Sequence, residues 1–230
     1  MTVNYEIVSI EGNIGSGKST LLENLKKHYE GNFYVIFLIE PVDDWEKIKD
    51  KEGNNMLKKF YLNQEKYSFA FQMMAYISRL KILRDTIKKI KQTKNPEERF
   101  IIITERSLYT DRYVFAKMLY DQGKIEDVCY QIYLNWFDEF VNDYDIGYTI
   151  YVNTDPEKCY ERIHKRSREG EEVIPLHYLE SCHKYHNEFL DTLNELKKTE
   201  KLELNGNIDI YENTKVLDNW LESIKLFIGV

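Results

Sequence analysis

The sequence predicts an α/β fold, a parallel sheet with helices on both faces, and three observations carry that reading. Short, nearly continuous apolar runs at 5–10, 33–39, 100–104, 148–152 and 202–204 alternate with stretches of helical spacing. The 230 residues contain no internal repeat, low-complexity segment or long linker, so one domain over 1–230 is expected. The first apolar run also passes through a glycine-rich loop straight into a helical pattern, a join that places ligands at the carboxyl ends of parallel strands.

Taken in order, residues 5–10 (YEIVSI) are apolar and β-branched and read as a buried strand. Gly12 to Ser19 fit G-x-x-x-x-G-K-[ST], after which Leu21, Leu22 and Leu25 share one helical face and Glu23, Lys26 and Lys27 lie outside it. In that setting the backbone N–H groups of Gly12, Asn13, Gly15, Ser16 and Gly17 can curl around an anion at a helix N-terminus, with Thr20 inside the first turn. Lys18 would reach the outer phosphates and the Ser19 hydroxyl would sit on Mg²⁺. A bare glycine turn with a chance lysine is the competing reading, and both flanks argue against it. The loop points to a nucleoside triphosphate.

Residues 33–39 (FYVIFLI) form the second expected strand and end at Glu40-Pro41. From 44 to about 91 the spacing is helical, with interruptions near 53–55 and 63–64, and Asn95-Pro96 closes it. After the third strand, 100–104, come helices over 111–120 and 126–141 separated by Gly123. The fourth strand, 148–152, precedes a helix with Pro156 in its first turn. A long helix over 176–198, a fifth strand at 202–204 and a closing helix at 215–227 complete the chain.

Two strand ends carry charge immediately after an apolar run. Glu40 precedes proline, which holds it extended, so its carboxylate is aimed where the strand points and can accept a proton from an attacking hydroxyl. A solvated acid at a loop entrance is the plainer alternative. Glu105-Arg106 has the same form: a glutamate able to hold Mg²⁺ through water, and an arginine able to orient an acceptor, or else a salt bridge capping the sheet. In 162–172 (RIHKRSREGEE), Arg162 and Arg166 are stacked at i, i+4, Arg168 follows and Gly170 offers a hinge, the makings of a lid over about 162–174. A solvated basic face is the commoner meaning of such a run and loses ground only because the phosphate loop is present.

Composition narrows the classes. Net charge is −7 with both signs interspersed, which argues against a nucleic-acid partner. No apolar run approaches the roughly 20 residues of a membrane span. The first residues, MTVNYEIVSI, carry no leader pattern, so a cytoplasmic protein is expected. Cys129, Cys159 and Cys182 are unpaired in spacing and read as reduced thiols. His183 and His186 beside Cys182 lack a further ligand pair and are read as a helix surface rather than a transition-metal site.

Together these residues resemble the deoxynucleoside kinase family, and within it the deoxycytidine and deoxyguanosine kinase branch. IEGNIGSGKST matches the family's phosphate loop, EPVDDW its Glu-Pro-Val-x-x-Trp motif, YSFAFQ its aromatic-Ser-Phe-x-Phe-Gln motif, ERSLYTDRYVFA its Glu-Arg-Ser motif and RIHKRSREGEEVIPLHYL its arginine lid. The resemblance implies a P-loop kinase fold with a five-stranded parallel sheet and an arginine-rich lid, a homodimer, and transfer of the γ-phosphate of ATP or another NTP to the 5′-hydroxyl of a deoxynucleoside in nucleotide salvage. It implies Glu40 as general base, Arg106 holding the same hydroxyl, Lys18, Arg162, Arg166 and Arg168 on the phosphates, and Ser19 and Glu105 on Mg²⁺. Tyr61 and Glu171 fall where the family holds the 3′-hydroxyl. Trp45, Phe71 and Phe115 would enclose the base, Ile14 and Leu57 would line the pocket, and Gln72 would read a base edge. Asp209, in the loosely matching LNGNIDIY, would contact the donor base.

Arg79 lies two helical turns after Gln72, and in this branch it pairs with the aspartate at Asp111 beside the base. Such a pair would exclude a 5-methyl group while Ala75 leaves room for cytosine or a purine, so deoxycytidine, deoxyadenosine and deoxyguanosine are expected over thymidine. Two rivals remain: a thymidylate-kinase-like enzyme, against which Ile39 stands where an arginine is typical, and a non-catalytic nucleotide-binding subunit, against which every charged motif residue is present.

Overall fold

The computed structural model describes residues 4–93, 98–166, 170–171, 173–197 and 199–230, apart from the side chains of 194–197. The strands are β1 (Asn4–Glu11), β2 (Val35–Leu38), β3 (Arg99–Glu105), β4 (Tyr148–Asn153) and β5 (Glu200–Asn205). They form one sheet in the order β2-β3-β1-β4-β5, and all its pairings are parallel. Around it lie α1 (Lys18–His28), α2 (Val42–Glu46), α3 (Met56–Leu62), α4 (Gln64–Lys91), α5 (Leu108–Thr110), α6 (Lys117–Asp121), α7 (Asp127–Val141), α8 (Pro156–Arg166), α9 (Leu176–Lys197) and α10 (Thr214–Ile228). A π-helical segment, Asp111–Ala116, joins α5 to α6. The fold is the α/β arrangement of a five-stranded parallel sheet among helices that the sequence predicts.

The apolar strands follow from burial on two sides. Ile7 and Ile102 pack with Tyr76, Leu83 and Phe137 on one face, while Val8, Ile10 and Ile103 pack with Leu21, Leu25 and Ile224 on the other. A strand covered on both faces has no polar position to spare, so the alternation typical of half-exposed strands is lost. The predicted interruptions of the long helical stretch are caps. The Asn55 side chain accepts from Lys58 N at 2.8 Å to open α3, and the Asn63 side chain accepts from Lys66 N at 3.1 Å to open α4. The predicted closure at Asn95-Pro96 lies outside the described residues.

Three boundaries differ from expectation. The second strand is shorter than 33–39: Phe33 is 87% exposed and Ile39 is also exposed, because β2 is an edge that pairs only with β3 and cannot bury its ends. β5 extends beyond 202–204 because Glu200, Lys201 and Glu203 occupy the opposite edge, where polar side chains meet solvent. The helix expected from 111 begins at Leu108, capped by Ser107. Among the described residues no helix is long and apolar enough to cross a membrane, and all three cysteines are free thiols.

Candidate active site

The carboxyl ends of β1, β2 and β3 open onto one cavity of about 330 Å³. At the end of β1 the loop is too tight for side chains. Gly12 has φ +145° and an added Cβ would lie 2.7 Å from Ser16 Oγ and from the Val152 carbonyl; Gly15 has φ +77° and would meet the Cys159 carbonyl at 2.6 Å. The loop is pinned from outside: Asn13 Nδ2 donates to the Leu179 carbonyl at 2.8 Å, and Thr154 Oγ1 donates to the Ser16 carbonyl at 3.0 Å. Lys18 is buried and its Nζ donates to the Asn13 carbonyl at 2.6 Å. Burial, reinforced by Arg106, lowers the Lys18 ammonium to about 7 against the pull of Glu105 and Glu40.

Ser19 Oγ donates to Glu105 Oε1 at 2.7 Å at the foot of this loop. A hydroxyl and a carboxylate are hard oxygen donors of the kind Mg²⁺ accepts while keeping several waters, so the pair fits that ion. Ser16 Oγ, buried in the loop with no hydrogen-bond partner among the described residues, likewise fits a loop that awaits an oxygen ligand.

Across the cavity stands an ionic cluster. Arg79 Nη2 donates to Glu40 Oε1 at 3.0 Å and Arg106 Nη1 donates to the same oxygen at 2.8 Å, so Oε2 is left without a hydrogen-bond partner among the described residues. Burial opposes ionisation of Glu40, but Arg106, Arg79 and Lys18 outweigh it and hold its carboxyl down at about 2. Arg79 also forks Asp111, through Nε to Oδ2 at 3.0 Å and Nη2 to Oδ1 at 3.5 Å, and its Nη1 donates to the Glu105 carbonyl at 2.6 Å. Burial pushes the Asp111 carboxyl up to about 6 in spite of Arg79, whereas Arg79 itself is raised because Asp111 and Glu40 overcome its burial. Both shifts leave the pair ionised at neutral pH. Arg106 is buried at φ +62°, its guanidinium 5.1 Å from the Phe115 ring centre. A non-glycine residue in the left-handed region costs about 1–3 kcal/mol and persists only where its surroundings hold it.

The remaining wall is apolar and aromatic. Trp45, Leu57, Tyr61, Phe71, Gln72, Ala75 and Phe115 line one half, with Asp111 beside them. Trp45 Nε1 donates to Ser78 Oγ at 2.9 Å, which fixes the indole edge-on to Phe71 at 5.7 Å. Gln72 is buried in this wall, its carboxamide offering both a donor and an acceptor. Burial, then Glu171, pushes the Tyr61 phenol well above its ordinary value. Ile14 and Glu171 line the cavity as well, and so do Gly15–Thr20, Arg162, Arg166 and Asp209. Arg166 Nη2 donates to Glu171 Oε2, and Arg162 Nη1 donates to the Ser16 carbonyl at 3.2 Å.

Most of the residues singled out in the sequence therefore share one cavity. Gly12 and Asn13 stand behind its wall as parts of the loop's frame. Arg168 lies outside the described residues. Arg79 is paired with Asp111, and its guanidinium also serves Glu40 and the Glu105 carbonyl; Arg79 itself is not among the residues that line the cavity. Val42, Tyr178, Ile208, Tyr211 and Trp220 also line the cavity and were not foreseen. For Ile208 and Tyr211 the loose motif at 204–211 was a partial signal; Trp220 gave none, because only the docking of α10 brings it there.

A sequence model described as deoxynucleoside kinase matches residues 8–229. The chain is 34% identical over 245 residues to deoxycytidine kinase 1 of Xenopus laevis, covering 96% of this chain and 90% of that one. It is 35% identical over 229 residues to a probable deoxycytidine kinase of fowlpox virus, covering 98% and 89%. It is 34% identical over 186 residues to mitochondrial thymidine kinase 2 of Homo sapiens, covering 80% and 64%.

Proposed function

Because this chain belongs to the deoxynucleoside kinase family, we propose that it transfers the γ-phosphoryl group of ATP or another NTP to the 5′-hydroxyl of a deoxynucleoside. The observation that carries this reading is Glu40: one oxygen is held by two arginines, and the other has no partner among the described residues, in the same cavity as the phosphate loop. The 5′-hydroxyl donates to Oε2 of Glu40 and is aligned by Arg106. A carboxyl held near 2 is a weak base, which suits a loose transition state in which positioning and charge neutralisation do most of the work and the proton leaves late. Lys18, Arg162, Arg166 and Arg168 neutralise the phosphates. Ser19 and Glu105 would hold Mg²⁺, which would screen the charge of the phosphates.

On the acceptor side Trp45, Phe71 and Phe115 enclose the base, Gln72 reads its edge, and Tyr61 and Glu171 hold the 3′-hydroxyl. Asp111, fixed by Arg79, occupies the space beside the base that a 5-methyl group needs, so deoxycytidine, deoxyadenosine and deoxyguanosine are favoured over thymidine. Asp209 faces the donor base. The working unit is a single kinase domain over 1–230 with its lid at about 162–174, cytoplasmic and engaged in nucleotide salvage. The exposed stripe Val128, Ile132 and Trp136 on α7, with Ile77 on α4, supports a homodimer. Coupled assays with the four deoxynucleosides and their 5′-monophosphates test the reading. Turnover of the deoxynucleosides is expected; turnover of the monophosphates alone would replace it with a thymidylate-kinase-like one.

A further inference from the structure

Glu11, the last residue of β1, is a carboxylate at 0% exposure that the phosphate-transfer chemistry above does not use. Both of its oxygens are engaged by neutral hydroxyls: Ser9 Oγ donates to Oε1, and Thr110 Oγ1 donates to Oε2 at 2.6 Å. Thr110 has a single hydroxyl proton and gives it to Glu11. In the 2.9 Å contact between Ser107 Oγ and Thr110 Oγ1, Ser107 must therefore be the donor. The Ser107 oxygen in turn accepts from Thr110 N at 3.1 Å, closing the N-terminal box of α5. A directed chain of hydrogen bonds thus runs from Ser107 through Thr110 to the buried Glu11 carboxyl group, and each bond polarises the next.

The position of this chain gives it a purpose. Gly12 and the phosphate loop follow Glu11 directly. Ser107 follows Arg106, whose backbone is at φ +62°, and Thr110 precedes Asp111, which forks Arg79. On its other side Arg106 is held by its N–H donating to the Ile10 carbonyl at 2.9 Å. A strained residue needs both neighbours fixed, and the residue after Arg106 is fixed by the box that Glu11 anchors. We propose that Glu11 is a positioning residue that locks the turn carrying Glu105 and Arg106 to the root of the phosphate loop, and so sets the registry between donor phosphates and acceptor hydroxyl. Its consequence for turnover rests on the kinase reading above; its consequence for the turn does not.

The test uses Glu11→Gln, Thr110→Val, Thr110→Ser and the double variant Glu11→Gln/Thr110→Val in the full-length protein. Thr110→Val is expected to lower kcat about tenfold, the scale on which small misplacements act, with KM for nucleoside and ATP within about twofold. Thr110→Ser, which restores the hydroxyl, should recover kcat, and the double variant should be no worse than the more damaged single, because both break one bond. Ser9→Ala removes the other hydrogen bond of Glu11 without touching the turn and should leave kcat within about twofold. Amide exchange over 105–111 supplies a readout independent of turnover: it should accelerate in Thr110→Val and stay near native in Thr110→Ser. Additive losses, or unchanged kcat and exchange in folded Thr110→Val and Glu11→Gln, would overturn the proposal. A wild-type chain inactive on every deoxynucleoside would sink the kinase reading instead, and the exchange arm would still decide the role of Glu11.

Discussion

The two halves of the cavity are built differently. In the acceptor half Glu40, Arg79, Arg106 and Asp111 are interlocked by hydrogen bonds, and Arg79, Arg106 and Asp111 are buried. The donor half is looser. Lys18 folds back onto its own loop, Arg166 is half-exposed on Glu171, and Tyr211 is 76% exposed at the rim. The contrast teaches that the chain spends its folding energy on fixing the charged wall at the ends of β2 and β3 and holds the rim of the phosphate loop more loosely. An interlocked wall fails abruptly when one member is lost, whereas a loose rim gives way by degrees.

The sharpest way to break that contrast is Glu40→Gln. Turnover is expected to fall about 100-fold or more with ATP affinity nearly unchanged. Steady-state rates beside nucleotide titration check it, and near-normal turnover in the folded variant would remove Glu40 from its role. Next comes the interlock itself. Arg79→Met alone strands Asp111 and frees Glu40 and should cost about 3–5 kcal/mol of stability, while Arg79→Met/Asp111→Ala together should cost less and raise thymidine use. Denaturant melts and specificity constants for the four deoxynucleosides measure both arms. A wild-type preference for thymidine would mean that the pair does not gate the pocket.

On the loose side, Arg166→Ala should slow phosphate transfer about tenfold, less than a fixed and buried donor would cost, with nucleoside affinity little changed. The reverse pattern, weaker nucleoside binding at full rate, would take Arg166 out of the lid. Two pH effects are smaller still. Asp111 sits at about 6, so kcat/KM should decline as pH falls through that value and its protonation unlocks Arg79; the decline should vanish in the double variant. Lys18 sits at about 7, so it is largely neutral at pH 8 in the empty protein. A polyanion favours its charged form, and nucleotide binding at pH 8 should take up about one proton, seen by calorimetry in buffers of different ionisation enthalpy and lost in Lys18→Met.

The donor half was largely legible in the sequence because its grammar is local. Strand, glycine loop and helix lie within sixteen residues of one another, and Asn55 and Asn63 announce their own caps. The acceptor half was legible as parts but not as an assembly. Gln72 and Arg79 share a helix, yet Arg79 meets Asp111 across 32 residues of separation and Glu40 across 39. No spacing rule foretells that one guanidinium serves both, or that it stands behind the wall. The π-helical turn at Asp111–Ala116 was likewise hidden, since DRYVFA fits ordinary helical spacing as well. Phe33 misled because apolar character alone does not reveal which strand will be the edge.

The sheet order has a consequence for how this chain is made. β1 is the central strand and the root of the phosphate loop, yet its neighbours are Arg99–Glu105 on one side and Tyr148–Tyr151 on the other. On a translating ribosome both its edges stay bare until about a hundred further residues have emerged, a wait on the order of ten seconds. During that interval a buried-type strand is exposed to every other nascent chain nearby. Such long-range closure also slows folding once synthesis ends. Chaperone demand should therefore centre on the first hundred residues, and a stalled chain released before β3 should aggregate through β1.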